Sequence, residues 1–294
     1  MVNRALAGLG LVAGMAFGWS QTTAQSDYEA RELKFRAKEE ADLKAPQSWL
    51  SLAGLFWLKE GDNAIGADHG DPVRLPDGEA PPEIGDINVA DGKAILSVVA
   101  GSNVQVDGWP VKTHVMAADA DGKPDIAKIG SLSFEIIRRG KRVGVRLWDT
   151  HSKVLRDFKG LRWYPIDPAY RVKAKFTAYP QPLMLSITNV LGDSQPVPHG
   201  GFVTFTLHGK TLKLDAQVSD DGLFFDFADS TTGKSTNLDG RFLDAAPPVN
   251  GVVDLDFNEA VNPPCAFTPF ATCPLPPPDN VLDVAIPAGE KAYK

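Results

Sequence analysis

Residues 202–214 read FVTFTLHGKTLKL, and in this stretch apolar and polar residues alternate on both sides of the dipeptide His208-Gly209. The apolar positions are Val203, Phe205, Leu207, Leu212 and Leu214. A period of two places alternate side chains on opposite faces of a β-strand, so one face is buried and the other meets water. A glycine between two such runs is typical of a tight turn. The stretch therefore predicts an antiparallel hairpin with one apolar face.

The same signals recur along most of the chain. Asp-Gly pairs, which mark hairpin turns when alternating runs flank them, stand at 77–78, 91–92, 107–108, 121–122, 221–222 and 239–240. Short runs rich in branched and apolar residues lie at 94–99, 132–137, 143–148 and 172–178. The 23 prolines and 27 glycines favour turns over long helices. We expect a mostly β fold, with antiparallel sandwich-like or barrel-like sheets.

One segment near the N-terminus departs from the β pattern. Residues 26–44 mix acidic and basic side chains with few apolar ones, which predicts a single helix lying on the surface. Asp27 is expected to cap its start, and Pro46 to stop it. The strongly apolar residues 49–58 follow, and they predict a buried strand or turn of the core.

The first 24 residues have the pattern of a secretory signal. Arg4 is their only charge, an apolar run follows over 5–19, and small residues precede a cut after Ala24. The alternative is a short membrane anchor, but the run is short for a span of about 20 residues. We expect a signal peptide over 1–24, no membrane span after its removal, and a periplasmic or secreted protein.

Charge limits the classes of partner. The formal net charge is −7, and removal of Arg4 with the signal would make it −8. A net acidic chain outside the cytoplasm is a poor candidate for general nucleic-acid binding. We therefore expect no nucleic-acid partner. A polar segment rich in turn formers, residues 117–130, predicts a boundary between a small β domain over 25–125 and a larger one over 126–294.

The first half resembles forkhead-associated β-sandwich domains in the order and spacing of four short motifs. These are Ile65-Gly66, 73–76, 92–94 and 106–108. No arginine follows Ile65-Gly66 and no Ser-x-x-His comes after it, so the phosphothreonine-binding residues of that family do not map onto this chain. The resemblance implies a fold and no ligand.

The most distinctive segment is 262–278, which reads NPPCAFTPFATCPLPPP. We call it the cysteine loop. Together with 240–243, 255–258 and 288–291, it strongly resembles the bacterial family catalogued as domain of unknown function 1684. Residues 49–61 and 158–171 are similar to that family as well. The resemblance implies no established reaction and assigns no catalytic residue.

The cysteine loop contains both cysteines of the chain, Cys265 and Cys273, and seven prolines over 263–278. Proline fixes φ and removes a backbone donor, so we expect a stiff, irregular loop. In an oxidising compartment, a close pair of cysteines most simply forms a disulfide. The loop then serves as a structural staple or as the rigid rim of a binding cleft. A redox-active or nucleophilic cysteine is the third alternative.

A basic segment stands out against the net acidic chain. Residues 138–162 contain nine arginines and lysines, opposed by Asp149 and Asp157 alone. Arg142 and Arg146 share one face of a predicted strand, which favours a site for a carboxylate, phosphate or acidic sugar. The alternative is a solvated hairpin that pairs with the acidic strands of 215–229.

Other polar groups give weaker signals. Asp254, Asp256 and Asn258 would share one strand face, where hard oxygens could bind calcium, or they form a solvated face. Asp149, His151 and Ser152 are adjacent in sequence, which does not make a catalytic triad. We therefore expect neither a metal nor a cofactor.

These observations favour a protein that binds a small anionic ligand or an envelope component, without catalysis. The candidate ligand-binding residues are Arg142, Arg146, Arg241 and Asn262. The alternative is an extracytoplasmic hydrolase or other enzyme, with its site near Arg241, Asn262 and the cysteine loop. A nucleophile, a base and an anion donor converging in one cleft would favour the enzyme.

Overall fold

The computed structural model describes residues 15–219 and 221–293, with side chains from residue 25 onward. The signal segment predicted over 1–24 therefore lies outside the described side chains. The first element is helix α1 (Met15–Leu43). It starts earlier than predicted, so Asp27 lies within it and does not cap it. Tyr28, Glu32 and Leu43 are buried, whereas most other described residues of α1 are exposed or half-buried. In the described part of the chain, no helix is long and apolar enough to cross a membrane.

The first β body follows α1 and holds two sheets. Its strands are β1 (Leu52–Trp57), β2 (Gly61–Gly66), β3 (Val73–Arg74), β4 (Gly85–Ala90), β5 (Lys93–Val98), β6 (Gln105–Val106), β7 (Trp109–Pro110), β8 (Thr113–Met116), β9 (Ala127–Ile129), β10 (Leu132–Arg139) and β11 (Arg142–Asp149). One sheet has the order β1-β11-β10-β9-β6-β7 and the other β3-β2-β4-β5-β8. The apolar faces of the two sheets form one core cluster that extends from Ile65 to Leu147.

Turn chemistry explains the hairpins of this body. Asp91 and Gly92 join β4 to β5 with φ of 50° and 73°, and Asp107 and Gly108 join β6 to β7 with φ of 49° and 88°. Aspartate and glycine tolerate the left-handed region that such two-residue turns require. These Asp-Gly predictions are confirmed.

The second β body contains one six-stranded sheet in the order β16-β15-β14-β13-β12-β17. A short helix, α2 (Lys153–Asp157), precedes it. Its strands are β12 (Arg171–Thr188), β13 (Ser194–Leu207), β14 (Lys210–Ser219), β15 (Gly222–Phe227), β16 (Arg241–Ala245) and β17 (Val252–Asp256). The hairpin predicted from 202–214 is the β13–β14 pair, which turns at His208 and Gly209. The inner face packs on the C-terminal residues Leu282, Val284 and Ile286.

The two cores divide between Leu147 and Tyr170. The boundary predicted between residues 125 and 126 falls within the first core, because β9, β10 and β11 share a sheet with β1 and pack on the strands before residue 118. A third, small cluster of Leu43, Leu50 and Phe267 joins the end of α1 to the cysteine loop. The mostly β fold with antiparallel sheets and one long N-terminal helix is confirmed; only β2 and β3 pair in parallel among the described strands.

Candidate functional site

A cleft of about 570 Å³ opens between the two β bodies. Its lining residues come from the β10–β11 turn, the β12–β13 hairpin, the β14–β15 sheet face and the cysteine loop. They are Arg139, Gly140, Lys141, Arg142, Ile187, Asn189, Asp193, Ser194, Gln195, Val197, Gln217, Phe224, Thr272 and Pro274.

The β10–β11 turn brings three cationic side chains to one wall of the cleft. Gly140 has φ of 59°, a conformation that glycine adopts without strain, so Arg139, Lys141 and Arg142 stand together at the hairpin tip. Arg139 forms an ion pair with Asp119 at 2.7 Å. Lys141 is exposed and makes no ion pair with any described residue. This wall therefore carries positive charge that its own ion pairs do not cancel.

Arg142 connects the two walls. Its guanidinium lies over the ring of Trp57, 4.2 Å from the ring centroid, and pairs with Asp193 of the opposite hairpin. Both charged groups are more than 40% exposed, so water and salt screen their attraction. Stacking on an aromatic face suits the flat guanidinium and holds it at the mouth of the cleft.

Polar groups and apolar side chains make up the other walls. Asn189 Oδ1 accepts hydrogen bonds from the amides of Leu191 at 2.9 Å and Asp193 at 3.1 Å, which leaves its amide nitrogen to donate elsewhere. Ser194, Gln195, Gln217 and Thr272 supply further hydroxyls and amides, and Phe224 and Pro274 supply apolar surface. A few polar donors among apolar side chains are typical of small-molecule sites.

The cysteine loop is held against the β12–β13 hairpin by backbone hydrogen bonds. Val190 donates to the carbonyl of Cys273 at 2.9 Å, and Leu275 donates to the carbonyl of Thr188 at 2.8 Å. Single 3-10 turns at Pro264–Ala266 and Pro278–Asn280 are its only helical pieces in the described structure. The expected irregular loop is thus observed, and the two neighbours of Cys273 line the cleft.

The two cysteines lie side by side within the loop as free thiols. The amide of Cys265 donates to Sγ of Cys273 at 3.1 Å, and the thiol of Cys265 donates to Oδ2 of Asp239 at 3.6 Å. Cys273 is buried, whereas Cys265 is half-buried. The hydrogen bond with Cys273, followed by burial, raises the pKa of the Cys265 thiol.

Asp226 is a buried acidic residue that the sequence analysis did not single out. It lies on β15 between Phe225 and Phe227, is buried, and neither carboxylate oxygen has a hydrogen-bond partner in the described part of the chain. Burial first, and then the neighbouring Cys273 and Asp239, raise the pKa of this carboxyl to about 8. An acidic residue inside the run LFFDF was the available signal. Because Phe225 and Phe227 face the core, Asp226 shares the opposite face with the cleft residue Phe224.

Arg146, one of the predicted binding residues, does not line the cleft. It forms an ion pair with Glu135 at 2.9 Å and lies over the ring of Trp49. The basic segment as a whole finds its partners in Glu135, Asp119, Asp121, Asp157 and Asp193. These acids differ from the predicted partners in 215–229, because the hairpin packs beside the turn at 119–121 and faces the β12–β13 loop.

Arg241 also lies away from the cleft and is fully buried. Its guanidinium pairs with Asp229 at 2.5 Å and donates to the carbonyls of Ala288 and of Ile286, the latter at 3.0 Å. Asn262 is buried too, and its backbone amide donates to Glu290 at 2.8 Å. Burial raises the pKa of Glu290 to about 7. Both predicted residues therefore anchor the C-terminal segment.

The polar row that begins in β17 contacts other protein groups. Asp254 pairs with Arg171 and Lys173, and Asp256 accepts from the hydroxyl of Tyr28 at 2.9 Å. Asp256 also lies with Glu32 and Glu259 in a group whose ligand atoms are within 4.8 Å of one another. Arg31 bridges these three acids at 2.8–3.9 Å, so an arginine occupies the position that a cation would take.

The adjacent residues 149–152 form no catalytic triad. Ser152 caps α2 by accepting from the amide of Leu155 and donates its hydroxyl to the carbonyl of Leu50. His151 Nδ1 lies 3.0 Å from Glu79 and is largely exposed. The serine hydroxyl is thus engaged in structure and does not face the histidine as a nucleophile would.

The solved structures to which the chain is similar include an NMR structure and two FHA domains. The chain is 34% identical to an uncharacterized protein of Haloarcula marismortui solved by NMR, with 46% of this chain and 78% of that one covered and a TM-score of 0.40. Two FHA domains are 22% identical over 32% of this chain, with TM-scores of 0.23. One of them was solved in a study of phosphothreonine-dependent FHA domain interactions, and the match covers 92% of it. The other is the FhaA FHA domain, and the match covers 96% of it. No curated protein matches the chain.

Residues 156–291 match the model of the family described as "Protein of unknown function (DUF1684)". The match contains the whole second β body and the cysteine loop. Through these residues the chain belongs to the DUF1684 family.

Proposed function

We propose that this protein binds a small anionic ligand in the cleft between the two β bodies, without catalysis. The observation that supports the proposal is the cationic wall of Arg139, Lys141 and Arg142, which faces amide and hydroxyl groups across about 570 Å³. A carboxylate or phosphate would receive charge-assisted hydrogen bonds from Lys141 and Arg142 and neutral ones from the opposite wall. Of the residues predicted from sequence, Arg142 is the one that lines the cleft, and this supports the proposal.

We further propose that the protein is exported by its first 24 residues and acts in the periplasm or outside the cell. In that oxidising setting Cys265 and Cys273 would form a disulfide. The contact of 3.1 Å between the Cys265 amide and the Cys273 sulfur supports this pairing, since it brings the two residues together.

A hydrolase is the second candidate. It needs a nucleophile, a base and anion donors in one cleft. The described lining offers the hydroxyls of Ser194 and Thr272, but it includes no histidine, and Asp193 is its one carboxylate. Asp193 is paired with Arg142, which leaves no free base beside either hydroxyl. The composition of the lining therefore favours binding over hydrolysis.

Titration calorimetry with inorganic phosphate and with succinate tests the binding proposal. The variant Lys141→Ala/Arg142→Ala should bind these probes about tenfold more weakly, which corresponds to about 1.4 kcal/mol. The matched control is Arg156→Ala/Lys159→Ala, which removes the same two charge types from exposed positions outside the cleft. If both variants bind the probes equally weakly, the loss of affinity comes from the overall charge, and the cleft is not the binding site.

A further inference from the structure

The surroundings of the two cysteines differ from what a structural staple needs. Cys265, the more accessible thiol, donates to the carboxylate of Asp239, and buried Cys273 lies near the carboxyl of Asp226. A structural disulfide requires a suitable distance and direction between its sulfurs and no acid–base partner. Here each sulfur has its own carboxyl neighbour.

Asp226 carries the inference. Burying a carboxyl group without a hydrogen bond costs folding free energy, and neither oxygen of Asp226 has a hydrogen-bond partner among the described residues. Phe225 and Phe227 fill the core on the other side of the strand, and Asp226 is buried on the opposite face, where an apolar side chain would avoid the cost of burying a carboxyl. A group retained at such a cost beside a thiol points to a role in proton transfer.

We propose that Cys265 and Cys273 are a redox-active pair that is oxidised reversibly by small-molecule disulfides, with Asp239 and Asp226 as the proton acceptors. The proposal builds on the disulfide proposed above and adds that the bond is formed and broken in function. It does not depend on anion binding in the cleft.

The exchange proceeds in two steps. The sulfur of Cys265 attacks one sulfur of the external disulfide, its proton passes to Asp239, and the first external thiolate leaves and is protonated from water. The sulfur of Cys273 then attacks Cys265 within the mixed disulfide, its proton passes to ionised Asp226, and the second external thiolate leaves and is protonated from water. The cysteine pair loses two electrons and the external disulfide gains them. Access sets this order, because Cys273 is the buried thiol, although the raised pKa of Cys265 keeps its thiolate fraction small.

Hydroxyethyl disulfide, which is uncharged, is the probe that separates this proposal from the anion site. The reduced full-length protein is mixed with excess probe, quenched with acid at intervals, and analysed by intact mass. We expect both thiols to be consumed, with the mixed disulfide as a transient species, and mercaptoethanol to restore them. Two thiols that persist in the wild type would overturn the proposal, whatever the result with phosphate or succinate.

Variants assign the roles. Cys273→Ser should trap the adduct on Cys265, whereas Cys265→Ser should react much more slowly, because its remaining thiol is buried. In Asp226→Asn, Cys273 should attack the mixed disulfide about tenfold more slowly, so the mixed disulfide should accumulate. Asp283→Asn, an exposed acid on the other side of the sheet, is the matched control and should behave as the wild type. If Asp226→Asn forms the Cys265–Cys273 disulfide from the mixed disulfide at the wild-type rate or faster, Asp226 has no role in the mechanism.

Discussion

Arg142 of the first β body forms an ion pair with Asp193 of the second, across the mouth of the cleft. The same guanidinium lies over the ring of Trp57, 4.2 Å from its centroid. Asp193 is therefore an internal competitor for the arginine that we expect to bind a ligand anion.

Replacing Asp193 by Asn should strengthen the binding of phosphate or succinate several-fold. The substitution removes a carboxylate that repels the ligand and occupies Arg142. Unfolding free energy should change by less than about 1 kcal/mol, since both partners are exposed. Calorimetry checks the affinity, and Asp283→Asn controls for the change in net charge. Weaker binding in the Asp193 variant would show that the carboxylate supports the site and does not compete with the anion.

Asp226 should make stability depend on pH in a direction opposite to that of a paired carboxylate. Its pKa is raised from 3.8 to about 8 in the folded protein, so folding favours the protonated form. The stability associated with this proton is complete below pH 4 and is lost as pH rises to about 8. Asp226→Asn should therefore match the wild type near pH 4 and exceed it at pH 9 by a few kcal/mol.

Urea unfolding of the reduced proteins at several pH values measures this difference. Reduced samples keep the cysteine pair out of the comparison. The control is Asp283→Asn, whose side chain is almost fully exposed. If the difference in unfolding free energy between the wild type and Asp226→Asn is the same from pH 4 to pH 9, the prediction is wrong.

Gly240 should be needed for the cysteine loop to lie against β15. A Cβ at this position would meet the carbonyl oxygen of Phe227 and Cγ of Pro276, each at 2.6 Å, and φ is 88°. Gly78 has a similar φ of 82° with open space around it. Gly78→Ala should cost about 1 kcal/mol of stability from backbone strain alone. Gly240→Ala should cost clearly more in thermal unfolding, and equal costs would show that the loop yields without loss.

Export should leave a mature chain of defined mass. If residues 1–24 are a cleaved signal, intact mass of protein recovered from the envelope or medium should correspond to a chain that begins at Gln25. The charge and apolar pattern of the segment motivate this expectation. A mature protein that retains Arg4 would contradict it, and would also weaken the argument for an oxidised cysteine pair.

The strands and turns were determined largely by local sequence. Period-two alternation, Asp-Gly turns and His208-Gly209 act within a few residues, so the β class and several hairpins follow without knowledge of distant contacts. The division of the chain did not follow in this way. A polar stretch at 117–130 looks like a linker, yet β9 to β11 return to the first core, because strand pairing depends on partners far along the chain.

The chemistry of the site was decided by the tertiary structure. From sequence, Arg142, Arg146, Arg241 and Asn262 were equivalent polar residues. The fold places Arg142 in a cleft, locks Arg146 on Glu135, and buries Arg241 against Asp229. The sequence alone identified Cys265 and Cys273 as a candidate pair, from their spacing and from the prolines of the cysteine loop. Only the packing of β15 under the cysteine loop brings Asp226 close to the two cysteines. The pKa of a carboxyl and a path for its proton depend on burial and on neighbours that sequence spacing does not reveal.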